Sequence, residues 1–119
     1  MNYDLEDRTA KFGEAVIEFA RKLVKDEINR PLLSQIVRSA TSIGANYMEA
    51  NSASSKKDFR NKISICRKEA NETKHWLRML AKSNPENKVD CKKLWTESHQ
   101  LVLIFSKIVQ SCDKGKIKN

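Results

Sequence analysis

The stretch Lys56–Ser83, KKDFRNKISICRKEANETKHWLRMLAKS, decides the fold. Its Phe59, Ile63, Cys66, Ala70, Thr73, Leu77 and Leu80 step by alternating fours and threes, which places one residue per turn on a single helical stripe. Such a stripe needs partners, and the flanking sequence repeats its logic. Upstream, Leu33, Ile36, Val37, Ala40, Gly44 and Tyr47 form a second stripe, which Pro31 opens because its fixed φ and missing amide suit a first helical turn. The polar run Asn51–Ser55 interrupts the period, and Ser54 or Ser55 is the expected N-cap of the Lys56–Ser83 helix.

Further out, Leu5, Thr9, Phe12, Val16, Phe19 and Leu23 define a first helix, and Cys91, Leu94, Ser98, Leu101, Phe105, Ile108 and Cys112 a fourth. The expected helices cover about 4–28, 31–50, 56–83 and 87–112, with a basic, flexible tail over 113–119. Four coiled-coil-like stripes joined by short connections predict an all-α, antiparallel up-and-down four-helix bundle.

Composition agrees. The 119 residues fit one domain, and three glycines with two prolines argue against a turn-rich β fold. No apolar run approaches the roughly 20 residues that span a bilayer, and Met1–Asp7 is acidic where a signal peptide would be basic, so a cytoplasmic protein with no membrane partner is expected. Cys66, Cys91 and Cys112 are widely separated and sit where small apolar side chains would, which reads as buried free thiols.

Motifs for chemistry are sparse. Glu72-Thr73-Lys74-His75 matches the Glu-x-x-His that supplies two ligands in di-iron bundles, but a second copy is needed and Thr96 stands where His99 would require a carboxylate. Both side chains also project away from the Phe59–Leu80 stripe. His75 and His99 lie far from any Cys pair, and the sequence shows neither a nucleophile elbow nor a Gly-rich phosphate loop. No catalytic residues, metal or cofactor are expected.

Helix two departs from an ordinary surface helix. From Ser39 to Ala50 its only charged residue is Glu49, and Ser42, Ala45, Asn46 and Glu49 face away from the stripe of Leu33, Ala40 and Gly44. Either another subunit packs on this small, nearly uncharged face, or it makes a tight contact within the chain. Ile65 and Trp76 beside the third stripe, and Ile17, Val24 and Ile28 on helix one, add apolar surface suited to self-association. A hairpin turning near Ala53 and Ser54 sets Arg38 level with Glu69 and brings Lys62 within a turn of Glu49, so both carboxylates are expected to find partners.

The net charge of +8 is concentrated in residues 56–84, where nine cations face three acids. Lys56, Arg60, Arg67, Lys74 and Arg78 fall in a narrow angular range on one flank, while Lys57, Lys68 and Lys82 face outward. An acid-free stripe of this kind suits successive phosphates of RNA or DNA, although a merely solvated basic surface has the same pattern. It shows no interleaved aromatic residues and no recognition motif, so shape and charge rather than base sequence are the expected target.

Arg38-Ser39-Ala40-Thr41-Ser42-Ile43-Gly44-Ala45-Asn46-Tyr47-Met48-Glu49-Ala50, followed by Asp58-Phe59, Lys62, Lys68-Glu69-Ala70-Asn71-Glu72-Thr73 and Trp76-Leu77, resembles the bacterial four-helix bundle proteins named for 23S ribosomal RNA intervening sequences. The resemblance spans nearly the whole chain. It implies a small homo-oligomer, typically a pentamer, with no established enzymatic activity. It also implies kinship with the accessory proteins of diversity-generating retroelements, basic bundles that work with a reverse transcriptase and its RNA. His75 stands where many relatives carry an aromatic residue. Two functions follow as expectations: an oligomer that binds structured nucleic acid, or a scaffold that docks an acidic protein such as a reverse transcriptase.

Overall fold

The structure, a computed structural model, describes residues 4–118, with side chains through Gly115. Four helices, α1 (Leu5–Lys22), α2 (Asn29–Asn51), α3 (Lys56–Ser83) and α4 (Lys88–Lys118), run up and down antiparallel, and a single 3-10 turn over Pro85–Asn87 precedes the last. The bundle measures 53 × 23 × 20 Å. Packing is strongest between α2 and α3 and between α3 and α4, whereas α1 leans mainly on α2 and meets α4 more sparsely.

Each stripe read from the sequence turns inward. Phe12, Val16 and Phe19 of α1, Ile63, Cys66, Ala70, Leu77 and Leu80 of α3, and Leu101 and Phe105 of α4 are buried. Helix α2 buries more than its predicted stripe: Ser39 and Ile43 are wholly covered too, because this helix is packed by α1 on one side and α3 on the other. Val102 and Val109 similarly widen the buried face of α4.

Polar groups in the core are satisfied locally. Thr9 Oγ1 donates to the Leu5 carbonyl at 2.7 Å, Ser98 Oγ donates to the Ala70 carbonyl at 2.8 Å, and the Ser39 and Thr73 hydroxyls meet at 2.8 Å. Ser39 and Thr73 thereby link α2 to α3, and Ser98 links α4 to α3. No buried side-chain nitrogen or oxygen among the described residues lacks a partner.

Two helix ends differ from expectation. Helix α1 stops at Lys22 rather than near Ile28, although apolar residues continue, because Leu23 turns extended with ψ 151° and Lys25 folds back to donate to the carbonyls of Ala20 and Arg21. A cation there complements the negative end of the helix dipole. Asp26 then accepts from the amides of Ile28 and Asn29 and so starts α2, two residues before Pro31. Val24 and Ile28 are left 68% and 63% exposed in this connection. At the other end, α4 continues to Lys118 instead of ending near Cys112, with Asp113 tied to Arg60 on α3. Ser55 is the N-cap of α3, accepting from the Asp58 amide at 3.0 Å.

The crossing of α1 and α2 depends on small residues. A Cβ at Gly44 would stand 3.3 Å from Thr9 Oγ1 and 3.5 Å from the Thr9 backbone, and one at Gly13 would stand 3.6 Å from Thr41 Cα. Each glycine thus faces the other helix's backbone, so part of the uncharged character of α2 serves a tight contact within the chain.

Candidate nucleic-acid interface

Helix α3 separates its charges by side. Its acids are used toward α2: Arg38 Nη1 donates to Glu69 Oε1 at 3.2 Å, and Arg38 Nη2 also bonds Glu72. Glu72 further accepts from the Trp76 indole at 2.9 Å. Lower on the same seam, Lys62 Nζ reaches Glu49 Oε1 at 2.8 Å, and this hydrogen bond holds the Lys62 pKa above its ordinary value. Asp58 accepts from the Ser54 amide at 3.4 Å. The level pairing of Arg38 with Glu69 and of Lys62 with Glu49 is therefore realised within the chain.

The cations on the other flank of α3 border α4. Arg60 donates through Nε and Nη2 to both Asp113 oxygens, at 2.8 and 3.3 Å, and this two-point hydrogen bond raises the Arg60 pKa. Lys74 Nζ lies 3.0 Å from His99 Nδ1 and 4.8 Å from the centre of the Trp95 ring. Lys56 and Arg78 are exposed and Arg67 is half-buried, and among the described residues none of these three has a carboxylate within ion-pair distance. At 1.5 Å per residue, the line from Lys56 to Arg78 is about 33 Å long. That is roughly one turn of a nucleic-acid duplex.

Two features of this flank escape a reading of α3 alone. Asp113 partly neutralises Arg60, so the stripe is not free of acid once α4 is docked. The flank also has aromatic neighbours after all: Trp95 and His99 stack at 5.1 Å with planes 18° apart. Their positions on α4, i and i+4, signal that they share a face, but only the α3–α4 register puts that face beside Lys74.

The outward face of α2 is mixed. Ser42 and Asn46 are half-buried and bond back into their own helix, Ser42 Oγ to the Arg38 carbonyl and Asn46 Nδ2 to the Ser42 carbonyl. Ala45 and Glu49 are exposed. Ala45 and Met48 of α2 join Ala10, Gly13 and Ile17 of α1 in lining an open groove of about 750 Å³. Ile65 is 37% exposed, while Trp76 is half-buried and touched edge-on by His75. A second groove, of about 450 Å³, separates α1 from α4 and is bridged by Arg8, which grips both Glu97 oxygens at 2.8 and 2.9 Å.

The Glu-x-x-His pair is engaged elsewhere, since Glu72 is held by Arg38 and Trp76 while His75 is exposed. Among the described residues no group of three or more His, Cys, Asp or Glu side chains is placed to hold a metal ion. Cys66 and Cys91 are buried free thiols and Cys112 is half-buried; burial pushes Cys66 up to about 12 and Cys91 up to about 11. No helix among the described residues is long and apolar enough to cross a membrane.

Comparison with known proteins fits this architecture. A solved structure described as a protein of unknown function from the S23 ribosomal protein family of Bacteroides thetaiotaomicron VPI-5482 superposes with a TM-score of 0.80. It is 33% identical, and the match covers 87% of this chain and 96% of that one. No curated protein matches the chain. The family model described as 23S rRNA-intervening sequence protein matches residues 2–107, and so this four-helix bundle belongs to that family.

Proposed function

We propose that the protein is a non-enzymatic, oligomeric bundle that binds structured RNA or DNA through the phosphate backbone, using the α3 flank of Lys56, Arg60, Arg67, Lys74 and Arg78. The observation that carries this reading is the sorting of charge on α3. Glu69 and Glu72 are drawn to Arg38 on the α2 side, while Lys56, Arg67 and Arg78 on the other flank keep no acid partner among the described residues. The acids serve the α2–α3 ion pairs, and the opposite flank, tempered by Asp113 at Arg60, keeps the excess of cations that a polyanion needs. Assembly would repeat the strip around a ring and strengthen a weak contact through multivalency. The exposed Ala45, Met48 and Ile65 support self-association through the α2 side, with a pentamer as the expected state.

Binding of a structured RNA hairpin and of a DNA duplex, followed by fluorescence anisotropy across a salt series, tests the reading. Affinity should fall with added salt at a log–log slope of about −0.9 per duplex phosphate neutralised. The triple charge reversal Lys56→Glu, Arg67→Glu and Arg78→Glu should abolish binding without altering helicity or assembly, since none of the three holds an ion pair among the described residues. Tight binding by that variant at physiological salt would show that another face is used. Failure of the wild-type protein to bind at low salt would instead favour a scaffold that docks an acidic protein, such as a reverse transcriptase. Light scattering after size exclusion measures assembly, and a monomer of 13.7 kDa at micromolar concentration would refute the oligomer.

A further inference from the structure

Among the described residues, the basic flank is bordered by one aromatic stack, Trp95 on His99, with Trp95 38% exposed, His99 half-buried and Lys74 Nζ against both rings. An exposed tryptophan in a surface this rich in cations is poorly explained by solvation. Packing alone accounts for it no better, since Leu94, Ser98 and Leu101 already supply the inward face of this part of α4. The nearby carboxylate Glu97 is turned away and held by Arg8.

Resting on the nucleic-acid reading above, we propose that Trp95 and His99 form a stacking site for an unpaired nucleobase, and that Lys74 and Arg78 take the adjoining phosphates. The chemistry is complementary at both ends of a nucleotide. A base extends an existing stack of two flat rings, and every base has a face with which to do so. Lys74 donates or shares at most one hydrogen with His99 and retains others for a phosphate oxygen. Arg78 follows Lys74 by one turn on the same flank and is exposed. The site therefore adds to the long phosphate strip a point at which single-stranded segments, loops or bulges are preferred over continuous duplex. An aliphatic protein side chain would use the indole equally well, but it has no use for the surrounding positive charge.

The test compares a short oligouridylate, the matching oligothymidylate and a duplex of equal phosphate count, binding to the full chain at one low salt concentration. Trp95→Ala should weaken both single strands about tenfold, the loss expected for one base–aromatic stack, while changing duplex affinity little. Trp95→Phe keeps a ring and should keep most of the affinity. The chain has two tryptophans, so fluorescence gives an independent readout: single strands should quench wild-type emission, and Trp95→Phe, which leaves only Trp76, should lose that quenching. Equal affinity of wild type and Trp95→Ala for single strands, an equal loss on duplex, or undiminished quenching in Trp95→Phe overturns this proposal alone. If Trp95→Ala does not fold, the Trp95→Phe quenching result decides. Failure of the wild type to bind any of the three overturns the parent reading as well. A difference between the uridylate and the thymidylate distinguishes RNA from DNA as the source of the base.

Discussion

Where α1, α2 and α3 meet at one end of the bundle, two asparagine amides are buried face to face. Asn29 Nδ2 donates to Asn84 Oδ1 at 2.8 Å and to the Val24 carbonyl at 2.9 Å, and Asn29 Oδ1 accepts from Asn84 Nδ2 at 3.0 Å and from Ser83 Oγ at 2.8 Å. Asn84 Nδ2 also donates to the Leu80 carbonyl. Asn29→Ala removes all four bonds made by the Asn29 side chain. Ser83 and the Val24 carbonyl are near enough to solvent to recover water, and Asn84 Nδ2 keeps Leu80, but Asn84 Oδ1 is left buried without a donor. One orphaned buried acceptor, the lost bonds and a small cavity together should cost about 2–4 kcal/mol. Asn29→Asp should be no gentler, since a carboxylate accepts from Ser83 and Asn84 but faces Asn84 Oδ1 and the Val24 carbonyl with no proton to offer. Urea denaturation followed by circular dichroism at fixed protein concentration measures these losses. The decisive measurement is the double-mutant cycle with Asn84→Ala: removing both amides leaves neither orphaned, so the double variant should be more stable than the sum of the singles by about 1–2 kcal/mol. Single losses below about 0.5 kcal/mol, or additive ones, would refute a cooperative amide pair.

Gly13→Ala should stabilise the bundle by about 0.5–1 kcal/mol in the same assay, because the added methyl meets Thr41 and Ala40 at ordinary contact distances while the helix gains the propensity of alanine; destabilisation would refute room for a methyl at this crossing. Stability should also decline above pH 9, since the unfolded thiols ionise near their ordinary value of 9.0 while buried Cys66 and Cys91 hold their protons up to about 12 and 11. The contribution of each is complete below pH 9 and diminishes by at most about 1.4 kcal/mol per pH unit above it. A flat stability profile from pH 9 to 11 would contradict this. In native protein at pH 8, iodoacetamide should label the half-buried Cys112 well before the other two, as read by mass spectrometry.

Helix existence, the up-and-down arrangement and most of the core were legible in the residues alone. The stripes through Phe12, Ile63 and Leu101 repeat with the period of a helix, and burying an apolar stripe is the strongest constraint on where a helix turns. A serine cap before α3 and the short connections added the turn positions, and with them the level pairing of Arg38 with Glu69. The end of α1 was not legible from periodicity, because Val24 and Ile28 continue an apolar pattern that the Lys25 and Asp26 side chains interrupt by bonding to the backbone.

The candidate site divides along the same line. The cation stripe from Lys56 to Arg78 lies on one helix, so its helical spacing exposes it at once. The Asp113 carboxylate that tempers it, and the Trp95–His99 stack that borders it, reside on α4, and no local period relates residue 74 to residue 99. Their juxtaposition depends on the axial register and rotation with which α4 packs on α3, set by buried contacts such as Ser98 against the Ala70 carbonyl. Likewise, Gly13 and Gly44 read as weak points in isolated helices, and only their facing positions in the folded chain make them a close crossing. Sequence periodicity constrains each helix about its own axis, whereas the chemistry of a groove depends on how two such helices are placed together, a quantity that exists only once the core has packed.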